Sequence, residues 1–271
     1  MSCLKTPSSV CKICSAPTVI FETSVVLNKH TVQYFQCGSC GFMQTEDPFW
    51  LEEAYSSAIA RQDVGIMSRN LIHCEVTAAL LNLVSPVVNR GLDFWENETA
   101  VDYGGGHGVL VRLMRDKGFN FFWSDLHASN NFARGFEAGS GLKYDFLTAF
   151  EVLEHLVDPI SDISKMMDLS PNVFVSTCLL PEPTPALSGW WYYMQSSGQH
   201  VSFYTSKSLE CLANRFKRHL SSVGSFHLFS SKPVKYHRYR AATSPRLARL
   251  INKAYSRPSL IPDDLGRMTE S

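Results

Sequence analysis

Two hydrophobic patterns alternate along the chain from Thr99 onward. Short apolar runs are typical of buried strands, and between them apolar residues recur every three or four positions, as they do on one face of a helix. This alternation indicates an α/β fold with a mostly parallel sheet and helices on both of its faces. The predicted strands lie near 99–103, 120–124, 145–150 and 172–178 with a hairpin around 218–231, and the predicted helices near 107–117, 160–168 and 205–217.

The residues before Thr99 divide into two segments. Short strand patterns occur near 19–21 and 31–35, whereas the later segment is largely helical because apolar residues follow a 3-4-3 spacing from Leu71 to Leu81. We therefore predict four parts in sequence order. They are an N-terminal module (8–48), a helical segment (49–96), an α/β domain (97–235) and a basic C-terminal tail (236–271).

Two Cys-x-x-Cys pairs flank the predicted N-terminal strands, Cys11 with Cys14 and Cys37 with Cys40. Each pair can form a tight turn that directs two thiolates at one point, and two such turns complete a tetrahedral zinc site. Because four protein ligands leave no open position, we predict a zinc ribbon with a structural zinc ion. The alternative is four cysteines that are simply buried or form disulfides.

A glycine-rich turn follows the first predicted strand of the α/β domain. Gly104, Gly106 and Gly108 succeed Asp102 with the spacing acid-x-Gly-x-Gly-x-Gly. Glycine has no Cβ and tolerates positive φ, so backbone at such a turn can contact a ligand. The Gly-x-Gly-x-x-Gly spacing of dinucleotide-binding folds is absent, because residues 109 and 111 are valines. Asp125 ends the next predicted strand, where a carboxylate can accept hydrogen bonds from a ribose.

Together with the segment Glu-Val-Leu-Glu-His at 151–155, this motif resembles the class I S-adenosylmethionine (SAM) dependent methyltransferases. The cysteine pairs and the segment 198–205 resemble, more specifically, zinc-ribbon methyltransferases that modify sugars and nucleotide sugars. The resemblance implies a Rossmann-like, mostly parallel seven-stranded sheet. It also implies SAM as the methyl donor and a small-molecule or glycan-type acceptor, with the acceptor atom left open.

The resemblance implies roles on the SAM side of the site. The three glycines are expected to contact the methionine portion of SAM, Asp102 to orient the loop and the ammonium group, and Asp125 to accept both ribose hydroxyls. Phe136 either packs on the adenine ring or belongs to the core. Arg69 either binds the SAM carboxylate or forms a surface salt bridge.

On the acceptor side, His200 is the predicted general base and Tyr204 a second candidate. An imidazole with an ordinary pKa near 6.5 can accept a hydroxyl proton at neutral pH. His200 also lies in a long polar and aromatic insertion, whose aromatic run at 190–193 either packs against the acceptor or closes a lid. Glu151, a candidate cofactor-binding residue, is four positions before His155, so both can lie on one helical face. There they either support the site or take part directly in the chemistry.

Composition narrows the class of protein. The 271 residues are 45% hydrophobic and 18% charged with a formal net charge of zero, which gives no electrostatic argument for nucleic-acid binding. No apolar run approaches the roughly 18 residues of a membrane span. Without a secretory signal, a cytoplasmic location with reduced thiols is expected. Residues 232–257 include eight Lys and Arg and no acid. The tail is therefore expected to be solvated, to attract a phosphate-bearing substrate or to make weak contact with an anionic membrane.

Two alternatives to an enzyme for small acceptors remain open. The first is a nucleic-acid methyltransferase that uses the ribbon to bind RNA, which the neutral charge and the few basic residues of the ribbon (Lys12 and Lys29) disfavour. The second is an interaction protein with an inactive methyltransferase-like domain, which the complete glycine motif and Asp125 disfavour. The oligomeric state stays open.

Overall fold

A computed structural model describes residues 9–55, 64–84 and 98–269, which form two compact units. The first unit comprises 9–55, 151–164 and 177–217, and the second comprises 64–84, 98–150, 165–176 and 218–269. Each unit is made of segments that alternate along the chain with those of the other unit, whereas each of the four predicted parts is one continuous stretch. The predicted end of the helical segment, within 85–96, lies outside the described residues.

Ten strands and eight helices form in the described residues. The strands are β1 (Thr18–Val26), β2 (His30–Cys37), β3 (Met43–Thr45), β4 (Ala100–Tyr103), β5 (Phe121–Ser124), β6 (Phe146–Phe150), β7 (Val173–Ser176), β8 (Ser202–Phe203), β9 (His219–Val223) and β10 (Phe226–Ser230). The helices are α1 (Leu51–Ala54), α2 (Ile66–Val84), α3 (Val109–Asp116), α4 (Pro159–Leu169), α5 (Ser206–Arg215), α6 (Tyr236–Ala242), α7 (Pro245–Ala254) and α8 (Ile261–Thr269). Two short 3₁₀ turns occur at Leu153–His155 and Trp191–Tyr193.

The second unit is built on a six-stranded sheet with the order β5-β4-β6-β7-β10-β9. The strands β5, β4, β6 and β7 run parallel, and β10 is antiparallel to both of its neighbours. The three strands β6, β7 and β10 are buried almost throughout, as expected where both faces of a sheet are covered. The α/β fold class and the predicted strands of this sheet are confirmed.

The sheet has six strands within the described residues, where the resemblance implies seven. The resemblance places a further strand at 134–137, beside β5. A single isolated parallel bridge, which joins Trp123 to Glu137, forms there. Gly135 has a φ of 83°, a left-handed conformation that interrupts extended backbone. This edge of the sheet is therefore completed by a loop.

Helices pack against the sheet to form the core of the second unit. Leu80 and Leu81 of α2 and Val111 and Met114 of α3 are buried in one cluster with aromatic residues of the sheet, including Phe146. Burial of such side chains contributes about 1.5–3 kcal/mol each to folding. None of the helices in the described part of the chain combines the length and the apolar character that crossing a bilayer requires.

The basic C-terminal segment is helical and packed, so the expectation of a solvated tail is wrong. Helices α6 and α7 contact α2, and Tyr239, Ala242 and Ala248 are buried in the core of the second unit. The larger side chains Leu247 and Leu250 of α7 are 46% and 65% exposed. The packed face of α7 carries a small residue, Ala248, which allows this helix to approach its neighbours closely.

The first unit contains a four-stranded antiparallel sheet with the order β1-β2-β3-β8. The ribbon strands predicted near 19–21 and 31–35 are confirmed within β1 and β2. Strand β8 comes from late in the chain and completes the sheet beside β3. The core of this unit is aromatic and includes Tyr34, Trp50, Tyr192, Tyr193 and Phe203.

Candidate functional site

The glycine-rich turn between β4 and α3 is the first part of the site. Gly104, Gly106 and Gly108 have φ values of 69°, 52° and 85°, a conformation that strains residues with a side chain. A Cβ on Gly108 would lie 2.6 Å from Oδ1 of Asn130, so this glycine is required for packing. A Cβ on Gly106 would instead enter open space. The turn therefore leaves room beside bare backbone at Gly106, as a ligand cradle requires.

Asp102 is buried near the end of β4 (3% exposed), and its Oδ1 accepts a 2.6 Å hydrogen bond from the Thr148 hydroxyl. Burial raises the pKa of Asp102 to about 7; the Thr148 hydrogen bond opposes this effect, and the negative charge of Asp125 adds to it. Burial therefore favours the protonated form of Asp102 far more than water does. A cation bound at the turn would stabilise its charged form.

Asp125 follows β5 and holds the glycine turn to the next loop. Its Oδ2 accepts a 2.8 Å hydrogen bond from the backbone N–H of Gly106, and its Oδ1 accepts bonds of 2.7 and 2.8 Å from the N–H groups of His127 and Ala128. The indole N–H of Trp123 donates to the Gly106 carbonyl at 2.8 Å. The carboxylate therefore lies beside Gly106, while its contact with a ribose stays a prediction.

Phe136 and Arg69 belong to the same unit as the glycine turn. Phe136 is 3% exposed within the core, and the guanidinium of Arg115 lies 3.6 Å from the centre of its ring. This placement favours the core alternative for Phe136, because a cation already covers one face of the ring. Arg69 is half-buried at the start of α2. The pKa of the nearby His73 is lowered to about 3, mainly by burial and additionally by the positive charge of Arg69. A contact of Arg69 with SAM stays a prediction.

In the first unit, His200 and His155 lie side by side, with ring centres 4.9 Å apart and perpendicular planes. Nδ1 of His200 donates to the carbonyl oxygen of Tyr192 at 2.7 Å, so the lone pair of the neutral ring is on Nε2. Nδ1 of His155 lies 3.1 Å from the carbonyl oxygen of Gln199 and 3.0 Å from the hydroxyl of Tyr55. Both rings are thus oriented by main-chain carbonyl groups.

Burial shifts the pKa values of the two candidate bases, His200 and Tyr204, in opposite directions. It lowers the pKa of His200 to about 3, with a further decrease from His155 and an opposing effect of the bond to Tyr192. His200 is therefore neutral at physiological pH, as a base must be, although its proton affinity is reduced. Tyr204 is fully buried, its hydroxyl donates to the Leu153 carbonyl at 3.0 Å, and burial raises its pKa well above the ordinary value. This placement favours an anchoring role for Tyr204.

Glu151 and His155 do not share a helical face, contrary to the expectation from their spacing. Glu151 has a φ of 53°, and the chain forms a 3₁₀ turn at Leu153–His155 in place of an α-helix. The buried carboxyl is that of Glu154 (0% exposed). One carboxylate oxygen of Glu154 and one ring nitrogen each of His155 and His200 lie within 4.8 Å of one another. Sequence reasoning did not select Glu154, although it stands within the Glu-Val-Leu-Glu-His segment.

The four cysteines of the two predicted pairs come together in the first unit. Their Sγ atoms all lie within 4.8 Å of one another, with 3.6 Å between Cys11 and Cys40 and 3.5 Å between Cys14 and Cys37. A disulfide needs about 2.05 Å, whereas a tetrahedron with Zn–S bonds of about 2.3 Å has edges of about 3.8 Å. The backbone N–H groups of Ser39 and Cys40 donate to Sγ of Cys37 at 3.4 Å. The arrangement is thus compatible with a closed four-thiolate metal site.

Comparisons with solved structures find similar folds at low sequence identity. The chain is similar to CalO1, a methyltransferase of calicheamicin biosynthesis, at 16% identity with a TM-score of 0.40, over 63% of this chain and 59% of that one. It is also similar to human N-acetylserotonin methyltransferase, at 15% identity with a TM-score of 0.44, over 69% and 60% of the two chains. The chain thus spans about six tenths of the length of either protein. Magnesium protoporphyrin IX methyltransferase from Synechocystis PCC 6803 is similar at 13% identity with a TM-score of 0.40, over 67% and 94%.

The family of this chain follows from its match to a family model. No curated protein matches the chain in sequence. A model of the methyltransferase domain matches residues 78–216, just over half of the 271 residues, and includes the glycine turn, Asp125 and both histidines. The chain therefore belongs to the methyltransferase-domain family, which confirms the resemblance inferred from its sequence motifs.

Proposed function

We propose that the protein transfers a methyl group from SAM to a small-molecule or glycan-type acceptor, such as a nucleotide sugar. The observation that carries this proposal is the glycine turn, where Gly106 leaves open space beside its backbone and Asp125 accepts its N–H. Membership of the methyltransferase-domain family supports the reaction class.

The glycines and carboxylates of the turn suit a cationic ligand such as SAM. SAM supplies an electrophilic methyl group on a sulfonium ion and also carries an ammonium group. The carboxylates of Asp102 and Asp125 face this region and interact with each other electrostatically, so a cationic ligand relieves the cost of their charges. In this proposal the three glycines hold the methionine portion, Asp125 the ribose and Arg69 the carboxylate.

An exposed tryptophan supports an acceptor of the sugar type. Trp191 is 71% exposed, whereas the next two residues of its 3₁₀ turn, Tyr192 and Tyr193, are each 1% exposed. The buried tyrosines fix the backbone that presents the indole. Such a ring offers an apolar face against which the C–H groups of a sugar can pack.

A structural zinc ion in the four-cysteine site is the second part of the proposal. The sulfur distances suit tetrahedral coordination, and four thiolates leave no position for a substrate. The ion would hold the two cysteine turns together and stabilise the ribbon, without taking part in methyl transfer.

The central experiment combines SAM binding with transfer of a labelled methyl group to a panel of nucleotide sugars, oligosaccharides and RNA. Gly106→Ala adds a methyl group in the open space, and we expect it to weaken SAM binding at least about tenfold. Gly224→Ala is the matched control, because Gly224 also has a positive φ (60°) and open space at its Cβ but lies in the β9–β10 turn.

The outcomes separate the candidate functions. Label on a sugar acceptor supports the proposal, and label on RNA alone would establish a nucleic-acid methyltransferase instead. If wild-type protein showed no SAM binding in the micromolar range, the inactive interaction protein would be the correct interpretation.

Replacing His200 tests its proposed role as the base. Since its Nε2 carries the lone pair and Nδ1 is held by the Tyr192 carbonyl, His200→Ala should reduce turnover by roughly 10²-fold while SAM affinity stays unchanged. Rapid-quench turnover and calorimetric SAM titration give the two values. A turnover rate close to that of the wild type would remove His200 from the mechanism.

A further inference from the structure

Glu154, His155 and His200 bring three metal-binding side chains to one place, outside the four-cysteine site. They come from two segments, the 3₁₀ turn at Leu153–His155 and the residue shortly before β8, both in the first unit. One ligand atom from each residue lies within 4.8 Å of the other two. A carboxylate and two imidazoles are a ligand set that binds zinc and other divalent transition metals.

The spacing of the three atoms suits a shared ion. Three atoms no more than 4.8 Å apart all lie within about 2.8 Å of a common point, and metal–ligand bonds are about 2.0–2.2 Å long. Each side chain would therefore shift by less than about 1 Å to coordinate an ion. Rotation about side-chain torsions achieves such a shift without a change of the backbone.

The surrounding hydrogen bonds orient the histidines as metal ligands. Metal-binding histidines usually donate their second ring N–H to a carbonyl or carboxylate, which fixes the tautomer. His200 does so, through Nδ1, to the Tyr192 carbonyl at 2.7 Å, and Nδ1 of His155 lies 3.1 Å from the Gln199 carbonyl. In His200 this leaves Nε2 as the ligand atom, and the His155 tautomer that donates from Nδ1 to the Gln199 carbonyl leaves Nε2 as its ligand atom as well.

Hydrogen bonds to main-chain carbonyl groups hold the two segments together. The N–H of Val201 donates to the Glu154 carbonyl at 2.8 Å, and the hydroxyls of Ser202 and Tyr204 donate to the Leu156 and Leu153 carbonyls at 2.7 and 3.0 Å. The three ligands are thus pre-organised by a rigid scaffold, which lowers the entropic cost of binding an ion.

Burial gives the site a charge that a cation would balance. The Glu154 side chain is fully buried, and a buried carboxylate is costly unless positive charge or hydrogen-bond donors compensate it. The hydroxyl of Tyr192 lies 3.2 Å from that of Thr177 and interacts with this carboxyl group. A divalent ion would add the positive charge. Both histidines are half-buried, so one side of the cluster stays reachable.

We propose that Glu154, His155 and His200 bind one divalent transition-metal ion, with zinc the best match, and leave a coordination position open to an oxygen ligand. Three protein ligands with an open fourth position are the pattern of catalytic rather than structural zinc sites. The Nε2 lone pair of His200 cannot bind a metal ion and accept a proton at once. The metal site and the base role proposed above are therefore alternatives for His200, and the metal content of the wild-type chain decides between them.

Metal stoichiometry of the full chain tests the proposal without SAM or an acceptor. After equilibrium dialysis against Zn²⁺, we expect about two ions per wild-type chain and about one in Glu154→Gln, His155→Gln and His200→Gln. His30→Gln is the matched control and should keep both ions, because His30 is a half-buried histidine of the same unit that pairs with Glu53 instead. Near-UV circular dichroism checks that each variant is folded.

Cobalt provides a readout on the wild-type protein that does not depend on the variants. Co²⁺ in the four-cysteine site gives thiolate charge-transfer bands, whereas a second ion bound by oxygen and nitrogen gives weaker bands without them. We expect the second set to saturate after the first. One zinc ion per wild-type chain, or cobalt spectra with thiolate bands alone, would overturn the metal site and leave the methyltransferase proposal intact.

Discussion

Burial controls the charge of individual side chains in the second unit, and Asp102 is the clearest case. Its pKa in the folded chain is about 7, against an ordinary value of 3.8. The folded state thus binds a proton more tightly than the unfolded state. The resulting stabilisation is fully present below about pH 4 and is lost as the pH rises through 7.

The variant Asp102→Asn removes this ionisation and can keep the hydrogen bond from Thr148. In the absence of SAM, we expect its free energy of unfolding to approach that of the wild type near pH 4. Above pH 7 it should exceed the wild-type value by up to about 4 kcal/mol, since each pKa unit corresponds to about 1.4 kcal/mol. Urea denaturation at pH 4, 6 and 8 measures the difference. A difference that does not change with pH would show that Asp102 does not titrate in this range.

Among the elements, α8 shows how a buried ion pair attaches a helix to the core. Asp264 accepts hydrogen bonds from Nε and Nη2 of Arg115 at 2.9 and 2.5 Å, and from Arg112 at 2.8 Å. The side chains of Arg115 and Asp264 are only 2% and 6% exposed. Arg115 also donates to Asn120 and to the carbonyl of Phe121, so α8 joins an existing polar network.

Asp264→Ala should lower the free energy of unfolding by about 3–5 kcal/mol, because it leaves the buried Arg115 charge without its carboxylate. Asp116→Ala is the control: Asp116 pairs with Arg112 at 2.8 Å on the same helix, but it is 37% exposed. We expect that variant to cost less than about 1 kcal/mol. Chemical denaturation monitored by circular dichroism compares the two. Equal losses would mean that the Arg115–Asp264 pair does not determine the stability of this region.

At the level of the whole chain, the cysteine site connects the N-terminal ribbon to later parts of the first unit. The Cys40 carbonyl accepts a 2.6 Å hydrogen bond from the Thr205 hydroxyl, and Thr205 is also the N-cap of α5. A metal ion that orders the cysteine turns would therefore stabilise both the ribbon and the start of α5.

Loss of this metal should therefore affect the first unit well beyond the ribbon. We expect Cys37→Ser to lose the ribbon zinc and to unfold at a lower temperature, because binding of structural zinc contributes roughly 10–16 kcal/mol to folding in small zinc modules. Cys211→Ser is the control, since Cys211 is a half-buried cysteine outside the cluster. Thermal melting and metal analysis test both variants. An unchanged melting temperature in Cys37→Ser would contradict a structural role for the metal.

The sequence by itself determined the features that depend on local pattern and spacing. The strands of the parallel sheet, the helices between them, the positive-φ glycine turn and the two cysteine pairs were all predicted at their observed places. Strands and helices differ in hydrophobic period, and glycine and cysteine have local conformational and chemical requirements. Each of these signals is contained within a few neighbouring residues.

Only the tertiary structure decided which distant segments meet and how deeply each side chain is buried. It placed Glu154 and His155 beside His200, added β8 to the ribbon sheet, and paired Asp264 with Arg115 across 149 positions. It also raised the pKa of Asp102, which depends on exclusion of water. Local sequence patterns do not encode these features, because long-range contacts and burial depend on the packing of the whole chain.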